Sequence, residues 1–158
     1  VVFDQTIESA VMVDGVRLRG AHGNAGALGH INVEPGGLPC NCGASGCLSA
    51  YATTVALEAE MNRSIRRATD SMIDRTGIMI GRGIASAAAA FDVSTFYIGG
   101  SVVDTFGDPL LVSLHRELGQ RSRLEHLAGL RVIELSGFGL PLVAAASVAL
   151  RPESAVSR

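Results

Sequence analysis

Every cysteine in this chain falls in one eight-residue window, Cys40-Asn41-Cys42-Gly43-Ala44-Ser45-Gly46-Cys47, and His30 stands ten positions upstream. Cysteines used only as core filler do not cluster in this way, and an odd number argues against a closed disulfide framework. Three soft sulfurs and one imidazole form the ligand set of a structural, four-coordinate zinc site with no position left for water. Gly43 and Gly46 let the backbone fold tightly enough for Cys42 and Cys47 to reach one ion. Gly36-Gly37 and Pro39 supply the bend that returns Cys40 towards His30. Two other readings stay open on residue types alone. Free thiols often pack as small hydrophobes, and three thiols can form a redox trio, although Cys-X-Cys is not the Cys-X-X-Cys spacing of a thiol oxidoreductase.

The surroundings of these four residues are more specific. Gly-X-Ala-Gly-X-Leu-Gly-His over 23–30, then His30-X9-Cys40-X-Cys42-X4-Cys47 within Cys-X-Cys-Gly-X-X-Gly-Cys-Leu, resembles the signature of the ROK family. That family contains bacterial sugar kinases and sugar-responsive transcriptional repressors. The resemblance implies zinc at His30, Cys40, Cys42 and Cys47, within a zinc-binding loop spanning 23–51. It covers essentially the whole chain but corresponds to the C-terminal half of a ROK protein. The chain opens on Val1-Val2-Phe3 with no initiator methionine, so we read it as a fragment, lacking the N-terminal lobe and any DNA-binding head.

Composition narrows the function classes. At 158 residues one domain is the default. With 47% hydrophobic residues, 4% aromatic residues and 19 glycines, its core must pack small aliphatic side chains and bring backbones close together. A net charge of −2 and no basic run make this fragment a poor candidate for nucleic-acid binding, because such binding rests on phosphate neutralisation. The apolar run from Leu140 to Leu150 falls short of a membrane span. No basic segment leads into an apolar one at the start. Reduced thiols without an export signal point to the cytoplasm.

Taken in order, Val1-Val2-Phe3, Ala10 to Val13 and Val16 to Arg19, with a hairpin at Asp14-Gly15, predict a three-stranded antiparallel meander. In ROK kinases a glycine-rich turn here admits the phosphates of ATP. The resemblance puts those glycines at Asp4, Thr6, Glu8 and Ala10. None is glycine, and two carboxylates beside a triphosphate repel it. The resemblance further implies that sugar hydroxyls are met by glutamates three before the zinc histidine and two after the last cysteine, with the histidine touching sugar and metal together. Those positions are Ala27 and Ser49, beside His30. A carboxylate accepts strong hydrogen bonds from a diol, whereas alanine accepts none. Each such bond is worth about 1.5–3 kcal/mol.

Three-to-four spacing of Tyr51, Val55, Met61, Ile65, Ala68 and Met72 predicts a helix from Ser49, as N-cap, to about Arg75. Gly77 should end it, and Ile78 to Ala90 should form a second helix. Ser94 to Ile98 predicts a buried strand closed by Gly99-Gly100. The resemblance places Gly99, Gly100 and Ser101 at the turn beside adenosine, although a tight strand exit would look the same. Asp108-Pro109 opens a helix carrying Leu110, Leu111, Leu114 and Leu118. Leu130 to Leu135 predicts a last strand, and Pro141 to Leu150 a last helix before a frayed tail. His22, His115 and His126 receive no role.

Strands followed by alternating helix and strand predict an α/β domain, a mixed sheet with helices against it. The resemblance specifies the C-terminal lobe of an actin-like ATPase, or ribonuclease-H-like, fold with a zinc-stabilised loop. Two functions follow. One is a non-catalytic, effector-sensing and dimerising domain of a ROK regulator of sugar metabolism. It would bind a sugar or amino sugar weakly, pair as a homodimer and reach DNA through a domain outside this chain. The other is the C-terminal half of an ATP-dependent, glucokinase-like sugar kinase. The displaced glycines and missing glutamates favour the non-enzymatic reading. A degenerate fragment kept only for dimerisation is a third.

Overall fold

The computed structural model describes residues 1–135. The expected helix from Pro141 to Leu150 and the tail beyond it lie outside the described residues.

Strands β1 (Val2–Phe3) and β2 (Ile7–Glu8) pair antiparallel, with Val2 opposite Glu8 and Phe3 opposite Ile7. Strands β3 (Met12–Val13) and β4 (Val16–Arg17) form the hairpin expected at Asp14-Gly15. Both turn residues have positive φ, 50° and 75°, as a primed turn requires. The three-stranded meander does not form, because β3 and β4 pair only with each other among the described residues. The chain leaves the sheet after β2 because the Ser9 hydroxyl donates to the Gly26 carbonyl and accepts from the Leu28 amide, binding this link to the glycine-rich loop instead.

Beyond the loop, the expected continuous helix from Ser49 to Arg75 is broken into α1 (Ser49–Ala52), α2 (Thr54–Met61) and a single 3-10 turn over Ile65–Arg67. Small polar residues compete with the helix at each break. Thr53 is extended and accepts from the Ala56 amide, Asn62 adopts the left-handed conformation, and Ser64 caps the 3-10 turn. Ser49 is therefore the first residue of α1 and not its N-cap.

Helix α3 (Asp70–Phe91) begins at Thr69, whose hydroxyl accepts from the Met72 amide, and runs through Gly77 without interruption. Gly77 is a contact and not a stop: a Cβ there would stand 2.6 Å from the Leu110 carbonyl oxygen. Strand β5 (Thr95–Ile98) leads through Gly100 into α4 (Ser101–Arg121). Helix α4 breaks at Gly107 (φ 52°, ψ −143°), so Asp108-Pro109 does open a helical segment, as expected, but after an earlier one. Strand β6 (Arg131–Glu134) then pairs parallel to β5 in the register Thr95 to Arg131.

A parallel bridge from Val2 to Gly99 joins β1 to the end of β5, with Phe3 N donating to Gly99 O at 2.8 Å. The result is a mixed sheet. Phe96 and Ile98 are buried while Tyr97 between them is exposed, the alternation of a strand with one covered face. Phe3, Phe96 and Ile98 enter one core with Ile80, Ile84, Val102, Val103, Leu110 and Leu114. Each fully buried Leu or Ile there contributes about 1.5–3 kcal/mol. The same core takes in Leu28, Val33, Leu48 and Tyr51, which flank the histidine and cysteines, so the loop sits on the helices by its own apolar residues. Among the described residues, no helix is long and apolar enough to cross a membrane.

Candidate metal centre and adjoining cleft

The loop between β4 and α1 closes on itself through short backbone ladders. Asn32 pairs with Cys47 and Pro39 with Ser45, both antiparallel. Val33 N donates to Gly46 O at 2.8 Å, Gly46 N to Leu38 O at 2.8 Å, and Leu48 N to Ile31 O at 2.9 Å. A tighter turn at the tip has Cys40 N donating to Ala44 O and Gly43 N to Cys40 O. Gly46 is required here: its φ is +79°, and a Cβ would lie 1.9 Å from the Glu34 carbonyl oxygen. His30 ends a 3-10 turn over Leu28–His30.

These folds bring together the donor atoms of His30, Cys40, Cys42 and Cys47, all within 4.8 Å of one another. The three cysteines are free thiols. Cys42 Sγ and Cys47 Sγ are 3.7 Å apart, and Cys40 Sγ lies 3.8 Å from His30 Nδ1. A tetrahedron with zinc bonds of about 2.0–2.3 Å has edges of about 3.5–3.8 Å. These two separations match such edges, and the donor set, one imidazole and three thiols, is that of a four-coordinate structural zinc site.

Burial and the two neighbouring sulfurs push the Cys47 thiol up to about 12. Cys42 is held below the ordinary thiol value, first by the Ala44 backbone N–H and then by the other two cysteines. A cation held here would have to displace the Cys47 proton, since metal ligation requires the thiolate.

His30 and Cys40 of the cluster line a cleft of about 1090 Å³ that is also lined by Thr6, Glu8, Arg17, Asn24, Ala27 and Ser49. The three positions singled out for sugar, Ala27, His30 and Ser49, thus share one cavity with two of the four phosphate-turn positions. The Ser49 hydroxyl donates to Gly29 O at 2.8 Å, so its proton is already engaged. Asp4 and Thr6 occupy the turn between β1 and β2, and the Thr6 hydroxyl donates to Glu8 Oε1 at 3.1 Å. Ala10 lies on the link that Ser9 ties to the loop.

Asp4 does something its sequence neighbours do not announce. Its Oδ1 accepts from Ser101 Oγ at 2.9 Å, which bonds the phosphate turn to the first residue of α4. Gly99 and Gly100 pack against β1: Gly100 has φ +105°, and a Cβ there would stand 2.5 Å from Phe3 O. The close approach that this glycine permits is to the chain's own backbone.

Two further supports have no clear signal in the sequence. The Tyr51 hydroxyl accepts from Leu38 N at 2.7 Å, while its ring lies beneath the Arg75 guanidinium, 5.6 Å from centroid to Cζ. Arg82 reaches from α3 to the Val33 carbonyl and the Glu34 carboxylate of the loop. Its only mark in the sequence is faint: one charge in Gly81-Arg82-Gly83, on an otherwise small and apolar stretch of helix.

A family profile described as the ROK family matches residues 7–125. The chain belongs to the ROK family. Relatives of both kinds are similar to it. A glucokinase of Halalkalibacterium halodurans is 33% identical over 103 residues, 62% of this chain and 30% of that protein. The DNA-binding transcriptional dual regulator NagC of Escherichia coli is 34% identical over 65 residues, 41% of this chain and 16% of the regulator. Among solved structures, the ROK hexokinase of Thermus thermophilus superposes with a TM-score of 0.79 at 26% identity, over 92% of this chain and 54% of the hexokinase. The chain thus spans little more than half of that hexokinase and a smaller share of these two curated relatives. Its α/β fold is the actin-like ATPase fold of ROK proteins, and its His/Cys cluster is consistent with the zinc-binding motif of that family.

Proposed function

We propose that this chain is the effector-sensing, dimerising lobe of a ROK transcriptional regulator of sugar metabolism and that it does not transfer phosphate. One observation carries the reading. The turn that would admit a triphosphate bears Asp4 and Glu8, and Asp4 is hydrogen-bonded to Ser101 at the turn expected beside adenosine. Nucleotide binding here would require breaking that bond and placing phosphates against two carboxylates. The cleft wall offers Ala27 and Ser49 in place of carboxylates that grip a diol, so a sugar or amino-sugar effector binds weakly, through His30 and other polar side chains of the cleft. Any DNA contact belongs to a domain outside this chain, and three reduced thiols suit the cytoplasm. The glucokinase similarity supports the second reading, half of a sugar kinase.

Calorimetry with magnesium ATP separates the two. No saturable heat is expected at tens of micromolar chain, while micromolar affinity would reverse the assignment in favour of the kinase.

In this reading His30, Cys40, Cys42 and Cys47 hold one zinc ion, which supplies no chemistry and fixes the loop to the start of α1. The chain also pairs with a second copy. The small-residue face of α3 is already covered by α4, with Gly77 and Gly81 against Leu110 and Leu114. The pairing therefore has to use other apolar surface, such as the exposed Val55, Val112 and Leu124. A homodimer burying at least about 1,000 Å² in total is expected. Sedimentation equilibrium showing a single 16.3 kDa species at tens of micromolar would reject it.

A further inference from the structure

The guanidinium of Arg82 is the meeting point of three separate pieces of chain. Its Nη1 donates to Val33 O at 3.1 Å and to the Glu34 carboxylate, both in the loop that carries the metal cluster. Its Nε donates to Glu117 Oε1 of α4 at 3.1 Å. Arg82 itself stands in α3, one turn after Met79, whose sulfur lies 3.9 Å from Nη1. Glu117 is largely buried, and its carboxylate also accepts from Arg121.

The loop-side contacts fall where they matter for the cysteines. Val33 N and Glu34 N both donate to Gly46 O, at 2.8 and 3.3 Å, and Gly46 precedes Cys47. Asn32 is bridged to Cys47 itself, and Asn32 Nδ2 donates to Ser45 O at 2.9 Å. The Glu34 carbonyl occupies the space that Gly46 leaves open. The segment 32–34 is therefore the template against which 45–47 is laid, and Arg82 holds that template to the helices from behind.

We propose that Arg82 is a positioning residue for the metal cluster: it sets the geometry of Cys47 through the 32–34 segment and couples zinc retention to the packing of α3 against α4. The inference rests on the zinc assignment above. Groups behind the ligands normally set metal affinity by orienting them, and losing one costs about 10–100-fold. A planar guanidinium can serve a carbonyl and two carboxylates at fixed angles, which a lysine ammonium cannot reproduce.

The test is zinc release from the full chain to an excess of a chromogenic chelator, compared between wild type, Arg82→Lys, Arg82→Met and Glu117→Gln. Arg131→Met serves as control, because it removes an arginine whose hydrogen bond goes to Thr95 between β5 and β6, away from the metal loop. Each variant is first shown to be folded by circular dichroism. Release from Arg82→Met should be at least about tenfold faster than from wild type, with Arg82→Lys close to it and Glu117→Gln in between. Arg131→Met should stay at the wild-type rate. The cobalt-loaded chain gives an independent signature, since a displaced Cys47 alters the visible absorption of the tetrahedral ion in Arg82→Met and not in Arg131→Met. Should Arg82→Met fail to fold, Glu34→Gln, which weakens only the loop-side acceptor, carries the same comparison. Wild-type release and an unchanged cobalt spectrum in folded Arg82 variants would overturn the proposal while leaving the zinc assignment standing. A wild-type chain that binds neither zinc nor cobalt would overturn both.

Discussion

Stripping zinc from the purified chain is expected to open residues 28–51 while α3 and α4 remain folded. Structural zinc in small peptide modules supplies about 10–16 kcal/mol of apparent binding energy, which in such systems is folding energy. Here the loop also has backbone ladders and buried Leu28, Val33 and Leu48, so part of its order has other sources. The loss is therefore local and large. Amide exchange reads it residue by residue: Val33, Gly46 and Leu48, whose N–H groups bond across the loop, should lose protection on chelation. Amides of Ile80, Ile84 and Leu114, in the core between helices, should keep most of theirs. Metal analysis of untreated protein should return one zinc per chain. Protein without zinc, or with a disulfide among Cys40, Cys42 and Cys47, would end this assignment. So would chelation that leaves the loop amides protected.

Gly46→Ala should destabilise the chain by about 3 kcal/mol or more and impair metal uptake with it. Two effects combine. A left-handed backbone costs an L-residue about 1–2 kcal/mol, and at φ +79° alanine incurs that strain. The added Cβ would also stand 1.9 Å from the Glu34 carbonyl oxygen, a backbone atom in the 32–34 segment that cannot swing aside as a side chain would. Relief means moving that segment away from Gly46, and Cys47 moves with its neighbour. Gly43→Ala isolates the first effect, because Gly43 has φ +92° and an added methyl there would meet nothing within 4 Å. It should cost only about 1–2 kcal/mol. Urea denaturation of the two variants decides the matter. Equal losses would show that the Glu34 contact relaxes freely and that the loop is softer than its ladders indicate.

What can be read directly from the sequence is what neighbouring residues decide among themselves. The spacing of His30, Cys40, Cys42 and Cys47, with glycines between them, nominates one metal because three thiols and an imidazole within eighteen residues make up a zinc ligand set. Asp14-Gly15 sets its hairpin by the backbone angles those two residues tolerate, and the β-branched and aromatic run before Gly99 sets its strand. The same local reasoning fails in the segment after Ser49. Apolar spacing there predicts one helix, while Thr53, Asn62 and Ser64 end it early by offering their own caps and turns.

Other features have no local expression at all. Gly77 reads as a helix stop until Leu110, more than thirty residues away, is found against it. Asp4 reads as a solvated turn residue until Ser101 is found 2.9 Å away. Arg82 reads as a stray charge until Val33, Glu34 and Glu117 converge on it. Each of these meetings depends on how the whole core packs, because a hydrogen bond or a bare backbone contact between distant residues forms only once the helices and sheet have brought them together. Local preferences chose the metal ligands, the hairpin and strands β5 and β6; tertiary packing decided the pairing of β1 with β2 and what the glycines, Asp4 and Arg82 are for.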